Sequence, residues 1–319
     1  MATYLFRRTL VSVPTLVIIS FVLFAVLSLA PGDPLSQFAA NPEVPQEVRE
    51  RIAKSLGLDK PWYARYPRWL AAMFTGDFGF SYASRVPVND LISLRLPQTL
   101  KVIGISYLIS ILIAIPIGIY TAVRPNNVLS MAATGFAFIG FSMPTFFTGL
   151  LLIIVFSVTL QWFPMIYDTT LQVSNWTTFV QQFKQSIMPV TVLALFQSGT
   201  LMRFVRAAML DNLSSDYART ARAKGLGEWV VILRHVLRNS LIPVVTLIAL
   251  GLPTIFTGAI ITEQIFRIQG VGELLITSLD RKDVPVTMAI TFIASVLIVA
   301  SNLVADVLYG VLDPRIKLR

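Results

Sequence analysis

Long apolar stretches without a charged residue recur along the chain and determine its predicted architecture. A membrane-spanning helix needs about 20 mostly apolar residues, and a charge at its centre costs at least about 2.5 kcal/mol. Six stretches of suitable length cover residues 9–32, 102–123, 125–167, 185–202, 239–262 and 284–305. We therefore predict an all-α integral membrane protein with six transmembrane helices.

The stretch 125–167 is longer than one span requires, and its apolar part runs from Val128 to Leu160. It forms either one long tilted helix, bent near Pro144, or two short helices. With one helix, the basic segment 203–238 lies on the same side as both chain ends. Because Lys and Arg concentrate in cytoplasmic loops, we predict six spans with both termini in the cytoplasm.

Composition supports the assignment as a membrane protein and excludes several kinds of chemical site. Apolar residues make up 55% of the chain and charged residues 13%, whereas a soluble domain carries about 25% charged residues. The chain has no cysteine and one histidine, so disulfides, thiolate metal sites and histidine clusters are excluded. His235 precedes a predicted span beside Arg234 and Arg238, and we interpret it as a membrane-interface residue rather than a pH switch.

The first span and the loop after it are predicted to form an anchor and an outer lid. The apolar run Leu10–Ala30 is longer than the core of a cleaved signal peptide, about 7–15 residues, so residues 1–30 are read as a retained anchor. Within the outer loop 31–98, periodicity predicts a helix over 46–56. The aromatic segment 62–69 contains two arginines, which is typical of a lid at the membrane interface; direct contact with a substrate is the alternative.

The segment 203–238 is the most basic part of the chain, with seven of the 26 Lys and Arg residues. Ser214-Ser215-Asp216 is a helix N-cap signal, good helix formers follow, and Gly225 is a stop. Ala218 and Ala221 share one face, which would allow close approach to another surface. We predict a docking helix for a cytoplasmic partner. Its residues are Ser215, Asp216, Tyr217, Ala218, Arg219, Thr220, Ala221, Arg222, Ala223, Lys224, Gly225 and Leu226.

Polar side chains inside the spans either line a translocation path or form hydrogen bonds between helices. The candidates are Ser142, Thr145, Gln197, Ser198, Thr200, Thr254 and Thr257. A secondary transporter needs ionisable groups in the membrane to bind its driving ion, and the six stretches contain none. Lys101, Glu263 and Asp306 lie at span ends, where we expect them to snorkel towards water.

The chain also lacks the G-x-x-x-x-G-K-[ST] phosphate loop of ATPases. We therefore predict a transport subunit that is not an enzyme and receives its free energy through contact with another protein. A channel or secondary carrier acting alone is the competing hypothesis. An intramembrane hydrolase would require a nucleophile and base or a metal site within the spans, and no such pair is found there.

The segment Tyr217–Leu226 resembles the inner-loop motif of permease subunits in binding-protein-dependent ABC importers, within the dipeptide/oligopeptide/nickel group and its first, B-type permease. Further stretches agree, namely Ala30-Pro-Gly-Asp-Pro34, Gly76-Asp-Phe-Gly79, Arg234-His-Val-Leu-Arg-Asn239, Gly270-Val-Gly272 and Asp306–Arg315. The broader importer motif has Glu-Ala-Ala, Gly and a later Pro. This chain has Arg219-Thr220-Ala221 at the first of these and Arg238 at the last.

The resemblance implies a type I ABC importer permease fold in the cell inner membrane. It implies pairing with a second homologous permease, two ATP-binding subunits that hold ATP and Mg, and a periplasmic or extracellular substrate-binding protein. No cofactor in this chain and no nucleic acid are expected. The helix between Ser214 and Gly227 is expected to sit in a cleft of one ATPase.

The implied substrates are small peptides, with nickel chelates, glutathione-like compounds, opines and saccharides as alternatives. The chain divides into an anchor (1–30), an outer loop (31–98), a permease core with the coupling loop 203–238 (99–308), and a cytoplasmic tail (309–319).

Overall fold

The computed structural model describes residues 2–29 and 60–312, and the side chains of 8–26 and 60–308. Nearly all of this part of the chain is helical, apart from loops and one isolated β-bridge between Phe80 and Pro87. In chain order the helices are α1 (Ala2–Leu29), α2 (Trp62–Thr75), α3 (Val88–Thr99), α4 (Ile105–Val123), α5 (Val128–Ser142), α6 (Thr145–Leu152), α7 (Trp176–Leu213), α8 (Asp216–Ala223), α9 (Glu228–Val230), α10 (Leu237–Thr257), α11 (Ile260–Phe266), α12 (Val271–Asp280) and α13 (Val284–Leu312). The helix predicted over 46–56 lies outside the described residues.

Two π-helical segments, Leu100–Gly104 and Val231–Val236, connect helices without a break, and a third, Ile153–Thr159, extends α6 at its C-terminal end. Five continuous helical stretches within the described residues are long and apolar enough to cross a membrane: Arg8–Val26, Val88–Val123, Trp176–Leu213, Glu228–Thr257 and Val284–Leu308. Together with the bent pair described next, they account for six predicted spans.

Helices α5 and α6, with the π-helical continuation to Thr159, form a broken pair whose axes differ by 103°. The break lies where sequence predicts it, because Pro144 is the N-cap of α6 and adopts an extended ψ of 137°. A residue before proline avoids the helical region, and Met143 is extended with ψ 128°. The bend near Pro144 is therefore confirmed, although it is a sharp break rather than a gentle curve.

The broken pair connects the two ends of the neighbouring span and so counts as a crossing. Helix α5 begins shortly after α4 ends, where the Asn127 N–H donates to Arg124 O at 3.2 Å. At the other end, Ile153 packs in one apolar cluster with Val102 and Ile103, which precede α4. Counted as one span, the broken pair brings the candidate spans of the described residues to six, and an even number returns the chain to the side from which it started. An Arg8–Asp306 ion pair joins α1 to α13 near the two chain ends.

The centre of the bundle is the contact between α4 and α7, where small residues allow the two backbones to approach closely. A Cβ on Gly118 would come within 2.7 Å of the Val205 side chain, which is itself 1% exposed. Helices in lipid pack through such small residues, because the hydrophobic effect does not drive helix association inside the membrane. This contact places the C-terminal half of α7 directly against α4.

The aromatic segment predicted as a lid is helix α2, which packs on α1 and α13. The Tyr66 hydroxyl lies 2.9 Å from Ser20 Oγ on α1. Rings of Tyr66 and Phe24 meet edge to face at 5.5 Å, and Trp69 meets Phe292 on α13 at 5.8 Å. Helix α2 is thus attached to the first and last spans.

Two boundaries predicted from charge fall inside helices. The second span is continuous from Val88 to Val123, so the division at 98/99 lies within it. Helix α7 continues to Leu213, so the segment 203–238 begins as part of a span rather than as a loop. A charged residue ended each predicted span, but the helical hydrogen bonds continue past it.

Candidate functional site

The basic loop between α7 and α10 is an ordered structure built around α8. Ser215 occupies the N-cap position with extended backbone, as predicted, but its side chain does not cap α8. Its hydroxyl donates instead to Asn212 O at 2.6 Å. Gly225 has φ +77°, a conformation that glycine adopts without strain, and its N–H donates to Arg222 O at 2.9 Å. The predicted stop at Gly225 is confirmed.

The small-residue face of α8 packs on this chain itself. Ala218 is 0% exposed and Ala221 is 5% exposed, both within the apolar cluster that contains Met209 on α7 and Val231 before α10. The surface that this face approaches closely is therefore that of the chain itself. Because α7 extends to Leu213, α8 folds back against its end, and the two alanines allow that close return.

An ion pair closes the loop on its far side. The Arg222 guanidinium donates to both Glu228 carboxylate oxygens, at 3.0 and 2.8 Å, and also to Leu213 O at 3.2 Å. A bidentate arginine–carboxylate pair gives directional as well as electrostatic support. Arg222 thereby links the end of α7 to the start of α9.

The surface left for a partner is the opposite rim of α8 and the turn after it. Within it, Arg219, Thr220 and Lys224 are exposed, as are the apolar side chains of Leu226 and Trp229. We call these five residues the loop rim. It presents cations around an apolar centre, which suits an acidic-edged groove on another protein.

Among the predicted path residues, Thr145 lines a cavity in the described part of the chain. A cavity of about 170 Å³ opens beside the break between α5 and α6, and Thr145 lines it together with Gly140, Met143, Thr148 and Phe196. Gln197 and Thr200 are half-buried on α7, and the Gln197 Oε1 atom is buried without a hydrogen-bond partner.

The remaining predicted path residues are not gathered at that cavity. The Thr254 hydroxyl donates to Gly251 O at 2.6 Å, and the Ser198 hydroxyl to Leu195 O at 3.1 Å, each within its own helix. Ser142 is exposed and Thr257 is half-buried. These bonds explain how Thr254 and Ser198 satisfy their hydroxyls without a second helix.

Glu263 is the residue that sequence reasoning placed wrongly. It was expected to snorkel, yet it is 1% exposed. Its carboxylate accepts hydrogen bonds from Thr99 Oγ1 at 3.0 Å and from the Glu273 N–H at 2.8 Å. Lys101 is exposed, and Asp306 pairs with Arg8. The glycines at 270 and 272 were the available signal, because they leave room for a buried carboxylate.

Six helical crossings and an ordered basic loop at one membrane face are the features of a membrane-embedded transport subunit. Comparison with known families agrees. The chain belongs to the family described as binding-protein-dependent transport system inner membrane component, whose model matches residues 114–318. The model of the family's N-terminal region matches residues 1–103.

Three relatives align over nearly the whole chain. The oligopeptide transport system permease protein AppB of Bacillus subtilis is 42% identical over 318 residues, 99% of this chain and 100% of the relative. The glutathione transport system permease protein GsiC of Escherichia coli K12 is 37% identical over 317 residues, 99% of each chain. The dipeptide transport system permease protein DppB of Escherichia coli K12 is 34% identical over 337 residues, 99% of each chain. The chain is therefore an inner membrane permease component of an ABC importer, as its sequence motifs indicated.

Proposed function

We propose that this chain is the permease subunit through which an ATP-driven importer moves di- and oligopeptides across the cell inner membrane. The observation that carries the proposal is the alignment, over 99% of the chain, with permeases named for oligopeptide and dipeptide transport. A second homologous permease, two ATPase subunits that hold ATP and Mg, and an outer substrate-binding protein complete the importer.

Coupling to ATP hydrolysis runs through the loop rim. Arg219 and Lys224 provide cations and Leu226 an apolar contact on the exposed side of α8. On the buried side, Ala218 and Ala221 pack against the end of α7 and the segment before α10. An ATPase that moves the rim therefore pushes directly on two spans, and the proposed consequence is alternating access.

The rim is tested by thiol crosslinking, since the chain contains no cysteine of its own. Single variants Leu226→Cys and Lys224→Cys are assembled into the complete importer and treated with a short bifunctional thiol reagent. We expect both to crosslink to an ATPase subunit carrying single cysteines around its docking groove, with a yield that changes between ATP-bound and vanadate-trapped states. Ala223→Cys extends the map along the rim.

Ala218→Cys is the matched control, because Ala218 lies on the same helix but is 0% exposed. It should not crosslink. Absence of crosslinking from both rim positions, in complexes that still hydrolyse ATP and import substrate, would contradict the placement of the ATPase contact.

Substrate class is tested by uptake competition in cells that depend on this importer. Unlabelled di-, tri- and pentapeptides should inhibit uptake of a labelled tripeptide. Glutathione is the second candidate, favoured by the 37% identity to a permease named for glutathione transport. Competition by glutathione but not by peptides would replace the peptide assignment; nickel chelates, opines and saccharides are tested in the same assay.

We propose further that both termini and the loop rim face the cytoplasm. The rim lies within the segment 203–238, which holds seven of the 26 Lys and Arg residues, and Lys and Arg mark cytoplasmic loops. Labelling of Lys224→Cys by a membrane-impermeant thiol reagent in inverted but not in right-side-out vesicles is the expected result. Import without ATP by vesicles that contain this chain alone would favour a carrier acting by itself.

A further inference from the structure

Arg203 sits within a membrane span, and its side chain runs towards the middle of that span. The guanidinium carbon lies 4.0 Å from the centre of the Phe141 ring and 5.7 Å from that of Phe138. Phe141 lies opposite Gly199, because a Cβ on Gly199 would come within 3.3 Å of the Phe141 Cβ. The guanidinium therefore reaches back about one helical turn from its own Cα, in the direction that helical side chains lean.

The depth of this cation follows from the neighbouring span. Val205 lies opposite Gly118 on α4. Six residues, about 9 Å of helix at about 1.5 Å per residue, separate Gly118 from Arg124, the first charge at the inner end of α4. Arg203 is farther from that end than Val205 is. A lone cation there would normally extend to the nearer water, but Arg203 extends away from it.

No carboxylate of the described chain neutralises Arg203. Its Nε atom is buried without a hydrogen-bond partner, as is that of Arg206, and no ion pair of the described residues includes either one. The free energy gained from a cation–π contact is smaller than the free energy that a guanidinium loses when it leaves water. The Arg203 side chain is half-buried, with its Nε atom fully buried. A cation inside a membrane span ordinarily faces a counter-ion or an aqueous route and marks a substrate pathway, so an anion would complete the arrangement.

The groups beside Arg203 indicate which anion fits. Gln197, Thr200 and Arg203 recur every three residues and share one face of α7, and the Gln197 Oε1 atom also lacks a partner. Phe141 stacks at 5.8 Å on Phe196, which lines the cavity at the break. An amide, a hydroxyl and a guanidinium in a row match a peptide chain that ends in a carboxylate. A lipid phosphate lies outside the hydrocarbon core of about 30 Å, on the side from which Arg203 turns away.

We propose that Arg203 binds the carboxylate of the substrate as it passes the middle of the membrane, with Gln197 and Thr200 contacting the adjacent peptide groups. This assignment rests on the proposed peptide-import function. It makes Arg203 a specificity-determining residue, which favours anionic substrates over neutral ones.

The test compares uptake of one tripeptide and of its C-terminal amide by the complete importer, reconstituted in vesicles of zwitterionic lipid. The same binding protein serves every variant, so a change in the acid-to-amide uptake ratio reports the permease alone. We expect Arg203→Gln to lower acid uptake about tenfold, the scale of a lost charge-assisted hydrogen bond, and amide uptake much less. Arg203→Lys should retain part of the preference. Arg124→Gln removes an exposed charge at the end of α4 and should leave the ratio unchanged.

Equal losses of acid and amide uptake in Arg203→Gln would overturn the proposal and indicate an acidic partner on the second permease. If Arg203→Gln loses uptake only after anionic lipid is added to the vesicles, the Arg203 guanidinium binds a lipid phosphate, and the proposal is again overturned. If the wild-type importer takes up the peptide normally and Arg203→Gln leaves the acid-to-amide uptake ratio unchanged, the Arg203 proposal is wrong but the peptide-import proposal stands. A wild-type complex that imports neither peptide form removes the peptide assignment and, with it, this inference.

Discussion

The Thr99 hydroxyl donates a hydrogen bond of 3.0 Å to the Glu263 carboxylate, and this bond joins the second span to the segment that precedes the last one. Thr99 Oγ1 also accepts from the Val271 N–H at 2.8 Å, and Glu263 accepts from the Glu273 N–H at 2.8 Å. One buried carboxylate therefore connects α3, α11 and the N-terminus of α12. Helix N-termini carry partial positive charge, so the N-terminus of α12 offsets part of the cost of burying this carboxylate.

The stability of this junction should depend on pH. Burial raises the pKa of Glu263 from 4.5 to about 7, although the hydrogen bonds from Glu273 and Thr99 lower it in part. The folded state then binds more protons than the unfolded state between these two values, so stability falls as the pH rises through that window. Each tenfold difference in proton affinity between the two states corresponds to about 1.4 kcal/mol at most. We expect the thermal midpoint of the purified complex to be higher at pH 5 than at pH 8.

Glu263→Gln should remove most of that pH dependence, because the glutamine side chain has nearly the same volume as glutamate but does not ionise. Asp90→Asn, at an exposed position on α3, is the control and should leave it in place. A pH profile of Glu263→Gln that matches the wild type would show that another group is responsible.

Gly270 should not tolerate a side chain. A Cβ at this position would overlap the Glu263 carboxylate and the Thr99 hydroxyl, and neither can move without losing the bonds described above. Overpacking of this kind costs about 1–3 kcal/mol, so Gly270→Ala should lower the thermal midpoint of the complex. Gly135 on α5 has nothing within 4 Å of the equivalent position. Gly135→Ala should leave the midpoint unchanged or raise it, since alanine favours a helix by about 1 kcal/mol.

The spans and the break near Pro144 could be predicted from sequence because both depend on local properties, namely uninterrupted apolar length and the backbone restriction imposed by proline. Glu263 could not be placed in the same way. A carboxylate at the end of a span is ordinarily solvated, and its burial here depends on Thr99, which is 164 residues away in the chain, as well as on the glycines at 270 and 272.

Helix α8 was predictable as an element, whereas the direction of its small-residue face was not. Periodicity shows that Ala218 and Ala221 share a face, but which surface that face meets depends on where α7 ends. Continuation of α7 to Leu213 brings α8 back onto its own chain. Arg203 was missed for the same reason, because the first charge after an apolar stretch was taken as the end of the span.

Two alanines on α8 should therefore respond differently to the same enlargement. Ala218 is 0% exposed in the cluster with Met209 and Val231, whereas Ala223 is exposed on the rim side. Ala218→Leu should cost about 1–3 kcal/mol by overpacking and displace the loop, so that import per ATP hydrolysed falls. Ala223→Leu should leave the loop in place. Hydrogen exchange over 214–230 and the uptake-to-hydrolysis ratio measure the two effects, and equal exchange in both variants would contradict the inward placement of Ala218.

Asp283 should hold the outer loop 76–87 against the start of α13. It is 2% exposed and accepts hydrogen bonds from the Tyr82 N–H at 3.0 Å, the Ala83 N–H at 3.2 Å and the Ser81 hydroxyl. Hydrogen bonds to a charged group contribute about 1.5–3 kcal/mol each, and Asp283→Asn replaces one acceptor oxygen with a donor that cannot accept them. We expect faster amide exchange and faster protease cleavage within 76–87 in this variant. Asp280→Asn removes an exposed carboxylate three residues away and should change neither rate; equal rates in the two variants would mean that the loop is held by other contacts.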